Sequence, residues 1–298
     1  MYRRNILHRS NPITINAIPA NRSLAADAGR HRLDSRRRQN RAMETTTTPG
    51  QLKYPELMFT QTVKLGDNGR DVKLAQEWLG YHGFATSIDS DFGPATAACV
   101  KRFQAKLGIA ESGIVNIATQ SALLAPIAAA AAPIAPGNKT LPALVVAYAK
   151  QHLKQHPIEI GGENSGPWVR LYMDGREGRE WPWCAGFTSF VLRQASETRG
   201  VPMPHPAAFG CDYLAGVAQG NGRFLRPQTA AELASVKPGY LFLVRKTSNK
   251  WAHIGVVEAI DGEAMLTIEG NTNDSGSAEG FEVCRRTRGV KDKDYLIV

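Results

Sequence analysis

No run of 18 uninterrupted apolar residues occurs in the 298-residue chain, so the sequence offers no membrane-spanning helix. Nor does an apolar core of signal-peptide length follow Arg3 and Arg4. The expectation is a protein synthesised in the cytoplasm without a recognisable signal peptide, leaving by another route if it acts outside. Cysteine is scarce: the four residues Cys99, Cys184, Cys211 and Cys284 show no C-x-x-C spacing, which argues against a zinc ribbon or finger and a disulfide scaffold. A composition of 43% hydrophobic and 21% charged residues excludes a mostly disordered or collagen-like chain. At roughly 150 residues per domain the length suggests two domains.

Charge imbalance is missing from most of the chain. The formal net charge is +9, yet residues 1–42 hold ten Arg against only Asp27 and Asp34, a local net of +8. The basic leader, residues 1–59, lacks apolar periodicity and reads as disordered. Three readings of its Arg-rich part stay open. It is translation upstream of a start at Met43, an arm for anionic membrane or envelope polymers, or a nucleic-acid arm. The last is disfavoured, because no aromatic platform or recognition helix accompanies it.

Residues 60–124 read as three short helices. Val72, Ala75, Trp78 and Leu79 recur at helical spacing from about Gly69 to Tyr81, with Asp67-Asn68 placed to cap the start. Pro94 stands at a first-turn position ahead of a second stripe, Ala97, Val100, Phe103 and Leu107. A third helix runs from about Asn116 to Leu124. Cys99 reads as a small buried residue. Gly69 with Val72, Leu79…Gly83, the run Asp89-Ser90-Asp91-Phe92-Gly93-Pro94-x-Thr96, Phe103-Gln104 and Gly113-x-Val115…Thr119…Leu123 resemble the peptidoglycan-binding three-helix domain of many bacterial cell-wall hydrolases. Ser90 stands where that family has Gly. The resemblance implies a glycan or stem-peptide groove near Asp89, Asp91, Phe92 and Thr96, although packing is the simpler role for Phe92, Phe103 and Trp78.

Residues 125–140, APIAAAAAPIAPGNKT, read as an Ala/Pro spacer rather than a core element. Residues 141–298 then run from helix through a loop-rich stretch to a helix starting at Cys184, a polar connection, and a series of strands. The expected class is α+β, with an antiparallel sheet. A thiol at a helix N-terminus faces unpaired N–H groups that favour its thiolate, the nucleophilic form. His253 lies mid-strand in WAHIGVV, and Glu269 and Asn271 share a face of the next strand. Aligning the apolar faces of the two strands sets 253 opposite 269. A plain two-residue turn at Asp261-Gly262 would put His253 and Glu269 on opposite faces, so a three-residue loop or a bulge is expected there.

At WPWCAGFTSFV, WAHIGVVEAI and IEGNTN the second part resembles the Cys-, His-dependent amidohydrolase/peptidase (CHAP) domain of the papain-like superfamily, over about residues 141–298. The resemblance implies Cys184 as nucleophile, His253 as base, Glu269 as the orienting acid and Asn271 as an additional polar member, with Trp183 near the substrate. Pro238-Gly239-Tyr240 departs from the family's Pro-Gly-Asp, which puts that local turn in question. Asp174, Glu177 and Glu180 lack the spacing of a calcium loop, and no metal or cofactor is expected. His152 and His156 are spaced to clamp a metal but lack a third ligand, so a solvated helix face is the simpler reading. His205, between prolines, is a candidate for lining the cleft.

Taken singly, Cys184 reads as a core thiol and His253 as a strand histidine; taken in order they read as a reaction centre. The expectation is a monomeric peptidoglycan hydrolase cutting a wall amide bond, built like a phage endolysin or a secreted effector and acting in the envelope. An N-acetylmuramoyl-L-alanine amidase is favoured slightly over an endopeptidase. An inactive wall-binding protein, or a Cys–His enzyme acting on protein, are the other readings.

Overall fold

The computed structural model describes residues 54–273 and 280–298; the Arg-rich stretch and Met43 lie outside the described residues. Everything described falls in one compact unit, Gly50–Val298. Among the described residues are nine α-helices and one six-stranded antiparallel sheet, an α+β fold.

A short 3-10 turn, Pro55–Leu57, comes first, and it corrects the expected extent of the leader: Leu57 is fully buried and Tyr54 packs its ring 5.6 Å from Phe190. Helices α1 (Arg70–Tyr81), α2 (Pro94–Leu107) and α3 (Ile117–Leu123) follow close to the expected bounds. Val72, Ala75, Trp78 and Leu79 of α1 pack with Val100 and Phe103 of α2, which is what their spacing requires. Asn116 caps α3 by accepting from Thr119 N. Asp67 does not cap α1; its carboxylate accepts from Lys64 N instead. The buried Asp71, in the first turn of α1, ties down the preceding segment by accepting from the backbone N–H groups of Thr60 and Gln61 and from the Thr60 hydroxyl. Leu107, expected in the stripe, is 44% exposed.

The expected spacer is partly core. Residues Ala125–Ala131 form α4, with Ile127 and Ala130 buried in the cluster that also holds residues of α1 and of the sheet. An Ala run is a strong helix former, and one Ile gave it a side to bury.

Helices α5 (Leu141–Lys154) and α7 (Cys184–Arg199) pack on the sheet, and α6 (Pro167–Tyr172) packs against α7. The connection read as polar loop holds two more helices, α8 (Cys211–Gly220) and α9 (Ala230–Ala234). The first buries Leu214, Ala215 and Ala218, and the second opens with a Thr229/Glu232 capping box. The strands are β1 (Phe224–Leu225), β2 (Leu241–Thr247), β3 (Lys250–Asp261), β4 (Ala264–Thr272), β5 (Glu282–Gly289) and β6 (Lys293–Leu296), in the order β1-β6-β2-β3-β4-β5. The turn at Pro238-Gly239-Tyr240 forms despite the Tyr: Gly239 N donates to Val257 O, and Val257 N to Tyr240 O.

The β3–β4 hairpin carries both features weighed in the sequence. Asp261 pairs with Ala264 across a two-residue turn, and a bulge follows between Val257 and Ala259. Beyond the bulge Val256 pairs with Ile268, so an even parity is restored and His253 falls on the face of Glu269. The ladder is two residues out of the expected pairing, with no effect on which side the residues face.

Candidate active site

Two close approaches place the nucleophile candidate. A Cβ on Gly186 would lie 2.4 Å from Met173 Sδ and 2.6 Å from Tyr172 O, and one on Gly270 would lie 2.7 Å from Phe187 Cβ. Only glycine lets α7 lie this tightly between α6 and β4. Trp183 is the N-cap residue of α7, and its own N–H is held by Asn271 Oδ1 at 3.0 Å. Cys184 therefore opens the helix, 6% exposed, with its Sγ at the positive end of the dipole.

Around that sulfur three groups collect. Cys211 Sγ stands 3.9 Å away, and the His253 ring and the Ile254 N–H lie near enough to favour its charged form. The Cys211 contact does most to lower the Cys184 pKa; burial opposes it, and the bond and charge of His253 carry it well below the usual thiol range. Cys211 moves the other way, its thiol proton retained beside the Cys184 thiolate. His253 Nε2 meets Glu269 Oε2 at 2.9 Å, so the carboxylate holds that ring nitrogen. Burial disfavours a charged ring, yet bonds to Cys184 and Glu269 raise the His253 pKa to about 9. Both shifts favour the thiolate of Cys184 and the protonated ring of His253.

Glu269 is fully buried and is held by more than the histidine. Arg288 Nε donates to Oε1 and Nη2 to Oε2, both at 2.6 Å, a two-pronged clamp. The Thr267 hydroxyl also donates to Oε1. Against burial, Arg288 and His253 pull the Glu269 pKa down to about 2. Arg288 and Thr267 were not singled out in the sequence. The signal was the Arg-rich strand CRRTRG, but its register was needed: Glu269 pairs with Cys284, so Arg286 and Arg288 fall on the side of Glu269.

The other sequence candidates divide. Asn271 does not join the His253 cluster. At φ 52° it accepts from Trp183 N and donates to Asn164 Oδ1 and Gly280 O, holding the backbone just before Cys184. Trp183 is fully buried, stacked 5.5 Å from Tyr172 with its Nε1 donating to Glu159, so it supports the site from beneath and cannot touch a polymer. Phe92 and Thr96 are likewise buried, which corrects their placement in a groove. Asp89 and Asp91 are exposed. Asp89 accepts from Gln76 and from Asp91 N, and Ser90 takes the left-handed φ of 66° that the family's Gly would adopt.

His152 is buried rather than solvated, bonded to Tyr172 Oη and Gln194 Oε1, and burial lowers its pKa to about 4. His156 reaches Glu282 at 2.8 Å. Glu177 is taken by Arg170, Lys73 and Gly166 N rather than standing ready for a cation. His205 is buried with its Nε2 on Ile297 O.

The helical module is joined to this site. Arg170 of α6 grips Glu77 of α1 at 3.1 and 2.5 Å and Glu177 at 2.5 Å, and Trp78 packs 6.0 Å from Trp168. Glu77 is 1% exposed, so this is a buried clamp.

Residues 68–123 match the family described as "Putative peptidoglycan binding domain". The match covers the helical module alone, and a module of this type supports peptidoglycan as a partner. Among curated proteins the chain is similar to the carboxy-terminal processing protease CtpA of Bacillus subtilis (strain 168), 34% identical over 76 residues. That stretch is 26% of this chain and 16% of CtpA. Among solved structures it is similar to the N-terminal domain of SleB, at 30% identity over 23% of this chain and 94% of that one, with a TM-score of 0.22. It is also similar to the Burkholderia AP3 phage endolysin, at 32% identity over 32% of this chain and 33% of that one, with a TM-score of 0.22. The chain thus spans about a sixth of CtpA and a third of the endolysin. The family match ends at residue 123, before α4 and well before Cys184.

Proposed function

We propose that the chain is a cysteine-dependent peptidoglycan hydrolase of the CHAP type, cutting a wall amide bond, with the bond between muramic acid and L-alanine favoured. The observation that carries the reading is the line Cys184–His253–Glu269: a thiol at a helix N-terminus, with His253 among the groups that favour its thiolate, and a buried carboxylate 2.9 Å from His253 Nε2. In this reading the Cys184 thiolate attacks the amide carbonyl, and backbone N–H groups at the start of α7 receive the oxyanion. The His253 proton passes to the leaving amine. The neutral ring then takes a proton from water, which opens the thioester and regenerates the thiolate. The peptidoglycan-binding module holds the domain against an insoluble polymer, in the envelope, after synthesis in the cytoplasm.

The test is digestion of purified peptidoglycan by wild type and by Cys184→Ala, with fragments read by mass spectrometry. Stem peptides released from intact glycan by wild type alone are the expected result. Fragments cut within the peptide by wild type alone would make it an endopeptidase with the same nucleophile. If both proteins pellet with intact sacculi, the hydrolase reading fails and a wall-binding protein remains.

A further inference from the structure

Cys211 passes no atom or proton in the reaction above, yet its sulfur stands 3.9 Å from that of Cys184. The two residues come from different helices, 27 positions apart, each at the first turn of its own. A disulfide needs its sulfurs at about 2.05 Å, so closing the pair takes a relative shift of about 2 Å, within reach of side-chain rotation. The surroundings allow that shift on the Cys211 side. Cys211 is half-buried, and it follows Gly210, the extended residue that ends the long connection from α7. Cys184, by contrast, is fixed between Asn271 beneath Trp183 and the packed body of α7.

We propose that Cys184 and Cys211 form a reversible redox couple in which a hydroperoxide switches the nucleophile off as an intramolecular disulfide and a dithiol switches it on again. In the first step the Cys184 thiolate attacks one peroxide oxygen. An S–O bond forms, the O–O bond breaks, and the second oxygen leaves as hydroxide, which is protonated to water (or as an alcohol from an organic hydroperoxide). In the second step the Cys211 sulfur attacks the Cys184 sulfenic acid. An S–S bond forms, the S–O bond breaks, and a second water leaves with the Cys211 proton. Two electrons pass from the two thiols to the peroxide. A dithiol returns them by exchange through a mixed disulfide.

The pair is suited to both halves. Cys184 is the sulfur held as thiolate, hence the one a peroxide oxidises, and hydrogen peroxide is small enough to reach a residue 6% exposed. Cys211 stands 3.9 Å away, and the neighbouring Cys184 negative charge that helps hold its proton is gone once Cys184 is a sulfenic acid, so its sulfur is placed to attack before a second peroxide does. The disulfide itself requires only the two sulfurs; its effect on activity rests on the hydrolase reading.

The experiment treats the full chain with hydrogen peroxide, maps peptides without reduction by mass spectrometry, and follows peptidoglycan digestion before and after dithiothreitol. A Cys184–Cys211 linked peptide lacking two hydrogens is expected. Activity should fall by about tenfold or more with oxidation and return with the dithiol. In Cys211→Ser the same treatment should carry Cys184 on to sulfinic and sulfonic acid, and dithiothreitol should then restore nothing. The proposal is overturned if wild type yields those acids at Cys184 without the linked peptide, or if Cys211→Ser recovers as wild type does. If the linked peptide forms while the reduced protein never cuts the sacculus, the couple stands and the hydrolase reading falls.

Discussion

Arg288 is the residue on which the candidate site depends most without touching substrate. Its fork makes two bonds of 2.6 Å to Glu269, which is fully buried and otherwise bonded to His253 and Thr267. Arg288→Met leaves that carboxylate with a single cationic neighbour. Removing one partner of a buried pair costs about 3–5 kcal/mol. Arg288 is 23% exposed and the His253 imidazolium remains, so about 2 kcal/mol is the expected loss here. For a folded unit of this size that is a fall in Tm of about 4–8 °C, read by calorimetry at pH 7. The second readout is the pH profile of kcat/KM. Burial pushes the Glu269 pKa up and Arg288 is the first group holding it down to about 2. Without the guanidinium the carboxyl rises back toward its ordinary range, and the acid limb of the profile moves to higher pH. The alkaline limb does not move down, because a less neutralised carboxylate holds the imidazolium proton more firmly. Arg288→Lys keeps the charge but loses the fork and should fall between the two. A lower Tm with an unmoved acid limb would make Arg288 a packing residue and refute the electrostatic argument.

Three further outcomes follow from the same geometry. The reaction should lose rate on the alkaline side with a midpoint near 9, where the His253 ring gives up the proton it must pass to the amine. Because that folded pKa lies above the ordinary 6.5, the linked stability of about 3 kcal/mol is complete below pH 6.5 and lost as pH rises through 9, readable in denaturant midpoints. His152 has the opposite sign. Its pKa is lowered to about 4, so its share of stability is present above pH 6.5 and lost as pH falls through 4, and His152→Gln should flatten that acid slope. For the clamp between modules, Glu77→Gln and Arg170→Met should each cost about 3 kcal/mol, with a coupling of about 2 kcal/mol in the double mutant; additive losses would mean the ion pair is idle.

What could be read in the sequence was whatever depends on neighbours along the chain. Pro94 and Asn116 punctuate helices in the structure as they do in the sequence, because caps are set by three or four consecutive residues. Cys184 at a helix start was legible for the same reason. The face shared by His253 and Glu269 was legible from parity, even though the bulge at Glu258 altered the pairing. Arg288 was not legible, because its side depends on how β5 registers on β4 across a long connection. The proximity of Cys211 was hidden by a loop of unknown path, although Leu214, Ala215 and Ala218 already marked α8 by their spacing. The Ala/Pro stretch misled in a different way. Composition said spacer, but the burial of Ile127 depends on surfaces supplied by remote helices.

The relation between the two modules changes what the wall-binding part can do. A module on a free tether raises the local concentration of an enzyme at its polymer and leaves orientation open. Here α1 and α6 share the Glu77–Arg170 clamp and the Trp78–Trp168 contact, and Tyr81 hands its hydroxyl hydrogen to Gln155 O beyond α5. If the proposed reading holds, wall contact and reaction centre keep one geometry, and the spacing between an anchored strand and the bond cut is set by packing, not by linker length. The same contacts lead inward. Trp168 stacks 6.2 Å from Tyr172, which stacks 5.5 Å from Trp183, the residue that precedes Cys184. A side chain lost at the α1–α6 junction should then disturb the start of α7, so Arg170→Met ought to slow the proposed reaction in solution as well as lower Tm. A soluble peptide substrate, which needs no wall anchor, separates that effect from loss of binding.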